Sequence, residues 1–197
     1  MYYDPMISKL ITWGKTRKEA LDLLSNAMDE YVIRGVTHNI GFGASILRNK
    51  AFADGQYTTA FIPTYYPTGF KGDPLDEGDL THIALGAHYM KNLYNSHGTN
   101  EKKTVATYYV TVLEQDFKIE CKGKDAFTVT NMKTNKATDI NAKDFELDYG
   151  SILRYSQNGN GKLLQFLESQ DNLYFNFYYK GNSIKSVVYD EDQFKLK

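Results

Sequence analysis

A single cysteine, Cys121, stands among 197 residues. One thiol forms no internal disulfide and supplies no cysteine-rich zinc site, which points to a reducing compartment. An excess of charge of one sign is also missing: 23 Lys and Arg face 24 Asp and Glu, for a formal net charge of -1. The basic residues are scattered apart from Lys102-Lys103. This is not the electrostatic footprint of a nucleic-acid binder. No apolar run approaches the roughly 18 residues that argue for a membrane-spanning helix. The opening Met1-Tyr2-Tyr3-Asp4-Pro5 lacks the basic and apolar regions of a signal peptide. The expectation is a soluble, intracellular chain with no nucleic-acid partner and no membrane.

What is present is material for a core, with 42% hydrophobic and 14% aromatic residues. The pattern changes near the Pro- and Gly-dotted stretch from Pro63 to Pro74. Before it, strand and helix alternate. Ile7 to Trp13 reads as a strand, and Thr16-Arg17-Lys18-Glu19 fits a capping box that opens a helix. Ala20, Leu21, Leu24, Ala27, Met28 and Tyr31 then follow at helical spacing. Tyr31-Val32-Ile33 begins a second strand ending at Gly35; helices are predicted over Asn39 to Asn49 and over Thr59 to Tyr65.

Beyond the linker a helix is predicted from Leu75 to about Asn95. Its apolar residues, among them Ile83, Ala84, Leu85, Ala87 and Met90, cover more than one stripe, so it should be enclosed. From Thr104 onward β-branched and aromatic residues alternate with polar ones, the signature of half-buried strands. Eight segments qualify: Val105–Leu113, Asp116–Cys121, Ala126–Asn131, Asp144–Asp148, Ser151–Ser156, Lys162–Glu168, Asn172–Tyr179 and Ser183–Tyr189. Closing so many short antiparallel strands removes their edges. The predicted class is α+β: a first part of antiparallel strands plus helices, over 1–72, then an antiparallel β-barrel of about eight strands around a central helix, over 73–197.

Tyr2-Tyr3-Asp4-Pro5-Met6-Ile7-Ser8-Lys9-Leu10-Ile11 and Tyr31-Val32-Ile33-Arg34-Gly35-Val36-Thr37-His38-Asn39-Ile40 form two blocks about twenty residues apart. Together with Tyr66-Pro67-Thr68-Gly69-Phe70-Lys71-Gly72 they resemble the end of the biotin carboxylase domain in biotin-dependent acyl-CoA carboxylase α-subunits of the propionyl-CoA type. No sharp motif follows Gly72; there the resemblance to the family's helix-in-barrel linking domain lies in layout alone. The resemblance implies an ATP-dependent ligase that uses Mg and biotin. Its implied partners are a carboxyltransferase β-subunit and a biotin carboxyl carrier domain of the same parent chain. It implies bacterial cytoplasm, or mitochondrial matrix in a eukaryote. The family's ATP-grasp region and the strand carrying its catalytic Arg and Glu are expected upstream of Met1, and its biotinyl Lys downstream of Lys197. No catalytic residue, bound cofactor or metal is therefore expected within this stretch.

Individual residues carry narrower expectations from the same resemblance. Thr59 matches a position on the wall of the adenine pocket; its plainer reading is a helix-start residue. Trp13 and Arg17 match positions near a dimer contact, against a core or domain-contact ring and a solvated charge. Leu93, Tyr94, Val105 and Ala106 flank a connection that in the family projects as a hook against the β-subunit; composition alone reads it as a polar loop. Asp4 and Lys9 read as a turn residue and a surface lysine, not an acid-base pair. His82 and His88 lie six apart on the long helix, on different faces, whereas a metal pair wants i and i+4. Gly159-Asn160-Gly161-Lys162 imitates a phosphate loop but joins two strands and opens no helix. The rival reading is a non-enzymatic module whose aromatic β half, Tyr174 to Tyr179, recognises a ligand or a protein; a hollow barrel would favour it.

Overall fold

The structure, a computed structural model, describes residues 6–98, 107–123, 126–148, 150–157 and 160–197. The chain divides into two compact units, Met1–Asp73 and Pro74–Lys197.

The first unit holds α1 (Arg17–Glu30), α2 (Ile40–Arg48), α3 (Lys50–Ala53) and α4 (Phe61–Tyr65). Helix α1 starts where the Thr16 hydroxyl accepts the Glu19 amide. The return half of the expected box goes to the amide of Lys15, 2.9 Å from the Glu19 carboxylate, one residue earlier than Thr16. Helix α1 packs on α2, and a Cβ at Gly43 would sit 3.0 Å from Met28 Cε, so glycine admits that approach. The two strands expected at Ile7–Trp13 and Tyr31–Gly35 do not form: among the described residues this unit contains helices only. A strand exists through a ladder partner for its N–H and C=O groups. Here no ladder joins the segments among the described residues, and a 3.1 Å bond from Tyr31 Oη to Ser8 Oγ links them through side chains.

The second unit opens with α5 (Glu77–Gly98) and continues through β1 (Thr107–Val112), β2 (Gln115–Cys121), β3 (Ala126–Asn131) and β4 (Ala137–Asn141). A 3₁₀ turn, Ala142–Asp144, leads into β5 (Phe145–Asp148), β6 (Ile152–Gln157), β7 (Asn160–Gln170), β8 (Tyr174–Tyr179) and β9 (Asn182–Tyr189), and α6 (Glu191–Lys195) follows. The nine strands form one sheet in the order β4-β3-β2-β1-β9-β8-β7-β6-β5. Sequence neighbours thus pair everywhere except β4 and β5, and the first strand pairs with the last, Tyr109 opposite Tyr189. This is the nearly closed antiparallel barrel of an α+β protein.

Every pairing in the series is antiparallel. Eight such steps around the sheet bring β5 back to the same direction as β4, and only Ala142–Asp144 separate the two. Strands β4 and β5 are therefore one bent strand. Its first half pairs with β3 and its second with β6. Eight strand positions surround the helix, which reconciles nine assigned strands with the eight expected. The segment missed in the sequence was β4, where only Ile140 is buried.

Helix α5 fills the barrel. All residues from Ile83 to His88 are buried, a stretch longer than one turn, so no face is left for water. It packs against β1, β2, β3, β8 and β9, and Tyr89 stacks on Phe145 of β5 with centroids 5.6 Å apart. The strands meet it with alternating inward residues, such as Tyr108, Val110 and Val112 on β1 or Ile184, Ser186 and Val188 on β9. The hollow interior that the rival reading wanted is occupied by this helix.

Gly86 lies directly beneath side chains of β6 and β7. A Cβ there would lie 3.0 Å from both Leu153 Cδ2 and Leu164 Cδ1. Gly86→Leu is expected to lower stability by about 3 kcal/mol, at the upper end of overpacking costs. Urea denaturation checks this, with an unchanged midpoint counting against a closely wrapped helix.

Candidate functional site

The polar chemistry of the second unit gathers at the start of α5. Asp76 caps the helix: its Oδ1 accepts the Asp79 amide at 2.8 Å, and its own amide donates to Asp79 Oδ2 at 3.1 Å. This reciprocal pair satisfies amides that a helix end otherwise leaves orphaned. The Asp79 side chain, 0% exposed, also takes Lys162 Nζ of β7 at 3.0 Å and Lys180 Nζ at 2.6 Å. Tyr179 Oη donates to it at 3.1 Å. Lys180 and Gly181 form the two-residue β8–β9 turn between the paired Tyr179 and Asn182, and that tight hairpin places Lys180 at φ 50°, in the left-handed region. Burial pushes the Asp79 carboxyl up, but the ammonium groups of Lys180 and Lys162 and the Asp76 amide outweigh it and hold it at about 2. Glu77 ties the same helix end to the β3–β4 turn by accepting from Asn131 Nδ2 at 3.1 Å and from the Thr134 hydroxyl at 2.5 Å. With its carboxylate buried and engaged by two ammonium groups, a phenol and an amide, this cluster anchors the helix rather than performing chemistry.

Along the other half of α5 lies a cleft of about 240 Å³. His88, Tyr89, Asn92 and Leu93 form its helical floor, with Phe127 of β3 and Phe145 of β5 as walls. His88 is buried, and burial pushes its imidazole down to about 4, so the ring is neutral near pH 7. Its Nε2 lies 3.1 Å from Asn92 Nδ2, and its ring meets those of Tyr108 and Phe127 edge-on at 5.0 Å.

The residues singled out in the sequence do not converge on one place. In the first unit Trp13 is 78% exposed, so its ring is not part of that unit's core. Arg17 is turned inward on its own unit: Nη2 donates to the Phe52 carbonyl at 2.7 Å, and the guanidinium lies 5.2 Å from the Phe52 ring centroid. Thr59 is exposed in the turn before α4. Lys9 is exposed, and Asp4 lies outside the described residues. In the second unit Leu93 lines the cleft, while Tyr94 sets its ring 6.2 Å from both Phe166 and Phe175. Val105 and Ala106 lie outside the described residues. His82 accompanies the Gly78 carbonyl and the Tyr155 ring. Lys162, read in the sequence as part of a hairpin, turns out to hold Asp79.

Sequence reasoning missed Asp79. Its signal was Asp76-Glu77-Gly78-Asp79 at the head of an apolar run, which has the spacing of a capping box. The lysines that meet it come from far down the chain, at 162 and 180. Nothing local announces them.

Residues 1–64 match the family described as biotin carboxylase C-terminal domain. The chain is 53% identical over 83 residues to the mitochondrial propionyl-CoA carboxylase alpha chain of Sus scrofa, covering 42% of this chain and 11% of that protein. It is 37% identical over 121 residues to the propionyl-CoA carboxylase alpha chain of Ruegeria pomeroyi, covering 58% of this chain and 18% of that one. It is 47% identical over 64 residues to a pyruvate carboxylase subunit of Methanothermobacter thermautotrophicus, covering 32% and 13% respectively. The chain thus spans about a tenth to a fifth of the length of the curated relatives it matches. The Ruegeria similarity extends over more residues than the first unit contains, so it continues past Asp73. The resemblance read from the sequence holds: the chain is similar to biotin-dependent carboxylase alpha chains, and to the propionyl-CoA type in both units.

Asp79 makes stability depend on pH in one direction. Its folded value of about 2 lies below its ordinary 3.8, so its contribution is present above about pH 4 and is lost as pH falls through 2. Asp79→Asn is expected to cost about 2 kcal/mol or more at neutral pH. The about 3–5 kcal/mol of a fully buried pair is an upper bound, because both lysines reach water. The variant should also flatten the acid limb in denaturant titrations between pH 4 and 2. A variant as stable as the parent, with the same acid limb, would remove Asp79 as the anchor.

Proposed function

We propose that this chain is the stretch of a biotin-dependent acyl-CoA carboxylase α-subunit that ends the biotin carboxylase domain, residues 1–72, and docks it through residues 73–197. The similarity to propionyl-CoA carboxylase alpha chains, running from the first unit into the second, carries this reading. In the whole protein ATP, Mg and bicarbonate carboxylate biotin on a carrier domain of the same chain. A carboxyltransferase β-subunit then transfers the carboxyl group to an acyl-CoA, propionyl-CoA being favoured by the relatives. This stretch is catalytically silent and contributes position: it sets the biotin carboxylase body against the β-subunit. The site is bacterial cytoplasm, or the mitochondrial matrix in a eukaryote.

Two features support the division of labour. The first unit leaves Met6, Ile7, Ile11, Trp13, Val36 and Ile62 more than half exposed, a concentration of apolar surface that a larger body would cover. Thr59 and Trp13 then face that body, Thr59 at the adenine pocket and Trp13 at a domain contact. The second unit is a ring of strands around a filled centre, suited to present the connection between its helix and first strand to a partner.

Size-exclusion chromatography of the purified chain with a propionyl-type carboxyltransferase β-subunit tests the docking. Co-elution is expected, and Leu93→Asp combined with Tyr94→Ala should weaken it by about tenfold or more, a loss of at least 1.4 kcal/mol, as for a contact near an interface centre. Circular dichroism establishes whether the variant keeps its strands. Separate elution of the folded parent chain would overturn the docking role. ATP turnover by the chain alone would overturn its silence.

A further inference from the structure

The barrel wall is interrupted at one level. The β3–β4 ladder ends with Ala126 opposite Asn141, and the β5–β6 ladder starts with Phe145 opposite Tyr155. Between them Ala142–Asp144 form a 3₁₀ turn that pairs with no strand among the described residues. The cleft described above has as its two walls Phe127, one residue from the β3–β4 ladder end, and Phe145, the first paired residue of the β5–β6 ladder. Here side chains of α5 line a recess.

We propose that this recess binds a small, uncharged aromatic molecule that donates one hydrogen bond, phenol being the simplest member of the class. The size fits: a dry cavity of about 150 Å³ already accommodates benzene, and this one offers about 240 Å³. The lining fits as well. Phe127, Phe145, Tyr89 and Leu93 give it flat apolar walls, against which a ring packs offset or edge-on. Among the described residues no Asp, Glu, Lys or Arg lines it, so a charged ligand would lose its hydration with no countercharge in return.

The polar end of the ligand is chosen by His88 and Asn92. The imidazole is neutral and its Nε2 faces the Asn92 amide nitrogen at 3.1 Å. That nitrogen donates to Nε2, which fixes the carboxamide and leaves its Oδ1 as an acceptor on a residue lining the recess. An O–H or N–H on the ligand answers that oxygen. A hydrocarbon of equal size fills the space without it. Occupancy joins the walls of β3 and β5 to the helix across the break, so it stabilises the barrel by binding only the folded form. The inference uses the second unit's geometry alone and stands apart from the docking proposal.

Amide chemical shifts of the full chain, followed during titration with phenol and separately with toluene, provide the test. Phenol is expected to give saturable shifts centred on His88, Asn92, Phe127 and Phe145, together with a rise in the thermal midpoint. Toluene should bind the same residues several-fold more weakly. Asn92→Leu removes the acceptor at similar volume and should weaken phenol by about five- to tenfold while leaving toluene unchanged. Leu93→Trp fills the recess and should abolish both; the variants' own spectra show that each remains folded. Absence of saturable shifts at the recess in the parent chain, up to the solubility limit of both ligands, would overturn the site. Equal weakening of phenol and toluene by Asn92→Leu would overturn the assigned hydrogen bond.

Discussion

A helix buried on every side must be met by a surface that closes on itself. Helix α5 imposes that constraint on the second unit: with Ile83 to His88 all buried, the strands have to surround it. The alternation of inward residues on β1, β2, β8 and β9 follows, because each strand spends every second side chain on the helix. The small buried residues Ala84, Gly86 and Ala87 follow too; at Gly86 the missing Cβ leaves room for the side chains of Leu153 and Leu164. Even the count of strands obeys the constraint. An odd number of mutually antiparallel strands cannot close a ring, and the bent β4–β5 strand is how nine segments become an even set.

Apolar burial is non-directional and would let the helix slide along its axis. Its position is fixed by charge and hydrogen bonds at the ends. At the amino-terminal end Asp79 is held between Lys162 and Lys180, and Glu77 reaches the β3–β4 turn. At the other end Lys91 donates to the Asn172 carbonyl, and Asn95 accepts from Asn172 Nδ2 at 2.6 Å. The carboxylate stands at the helix start, where amides point outward and the dipole favours negative charge. Reversing the helix in the ring would set it against both.

Much of this architecture was legible because it repeats a simple period. Alternation identified eight of the nine strands, and apolar residues covering more than one stripe between Leu80 and Tyr94 marked the helix as enclosed. β4 escaped because Ala137, Thr138, Asp139 and Asn141 give the pattern little contrast. Helix α6 escaped although Asp190 and Gln193 form a full capping box; it is short, and Phe194 holds it by stacking on Tyr109 at 4.2 Å, a partner far away in sequence. The strands wrongly read in the first unit had the right residues and lacked a ladder. For the site, family resemblance pointed to Trp13, Arg17 and Thr59, but the ionic anchor at Asp79 depended on lysines whose proximity only the closed ring creates.

The pairing of β1 with β9 has a further bearing on how this unit comes together. Val110 and Val188, like Tyr109 and Tyr189, meet only after the whole intervening chain has been laid down. The last strand is the clasp of the ring, and until it arrives the enclosed helix is open to solvent along one side. Such distant closure makes for slow assembly, with sticky edges exposed meanwhile. Within this unit the wall shuts only when β9 docks beside β1, over a rod already lying in its groove.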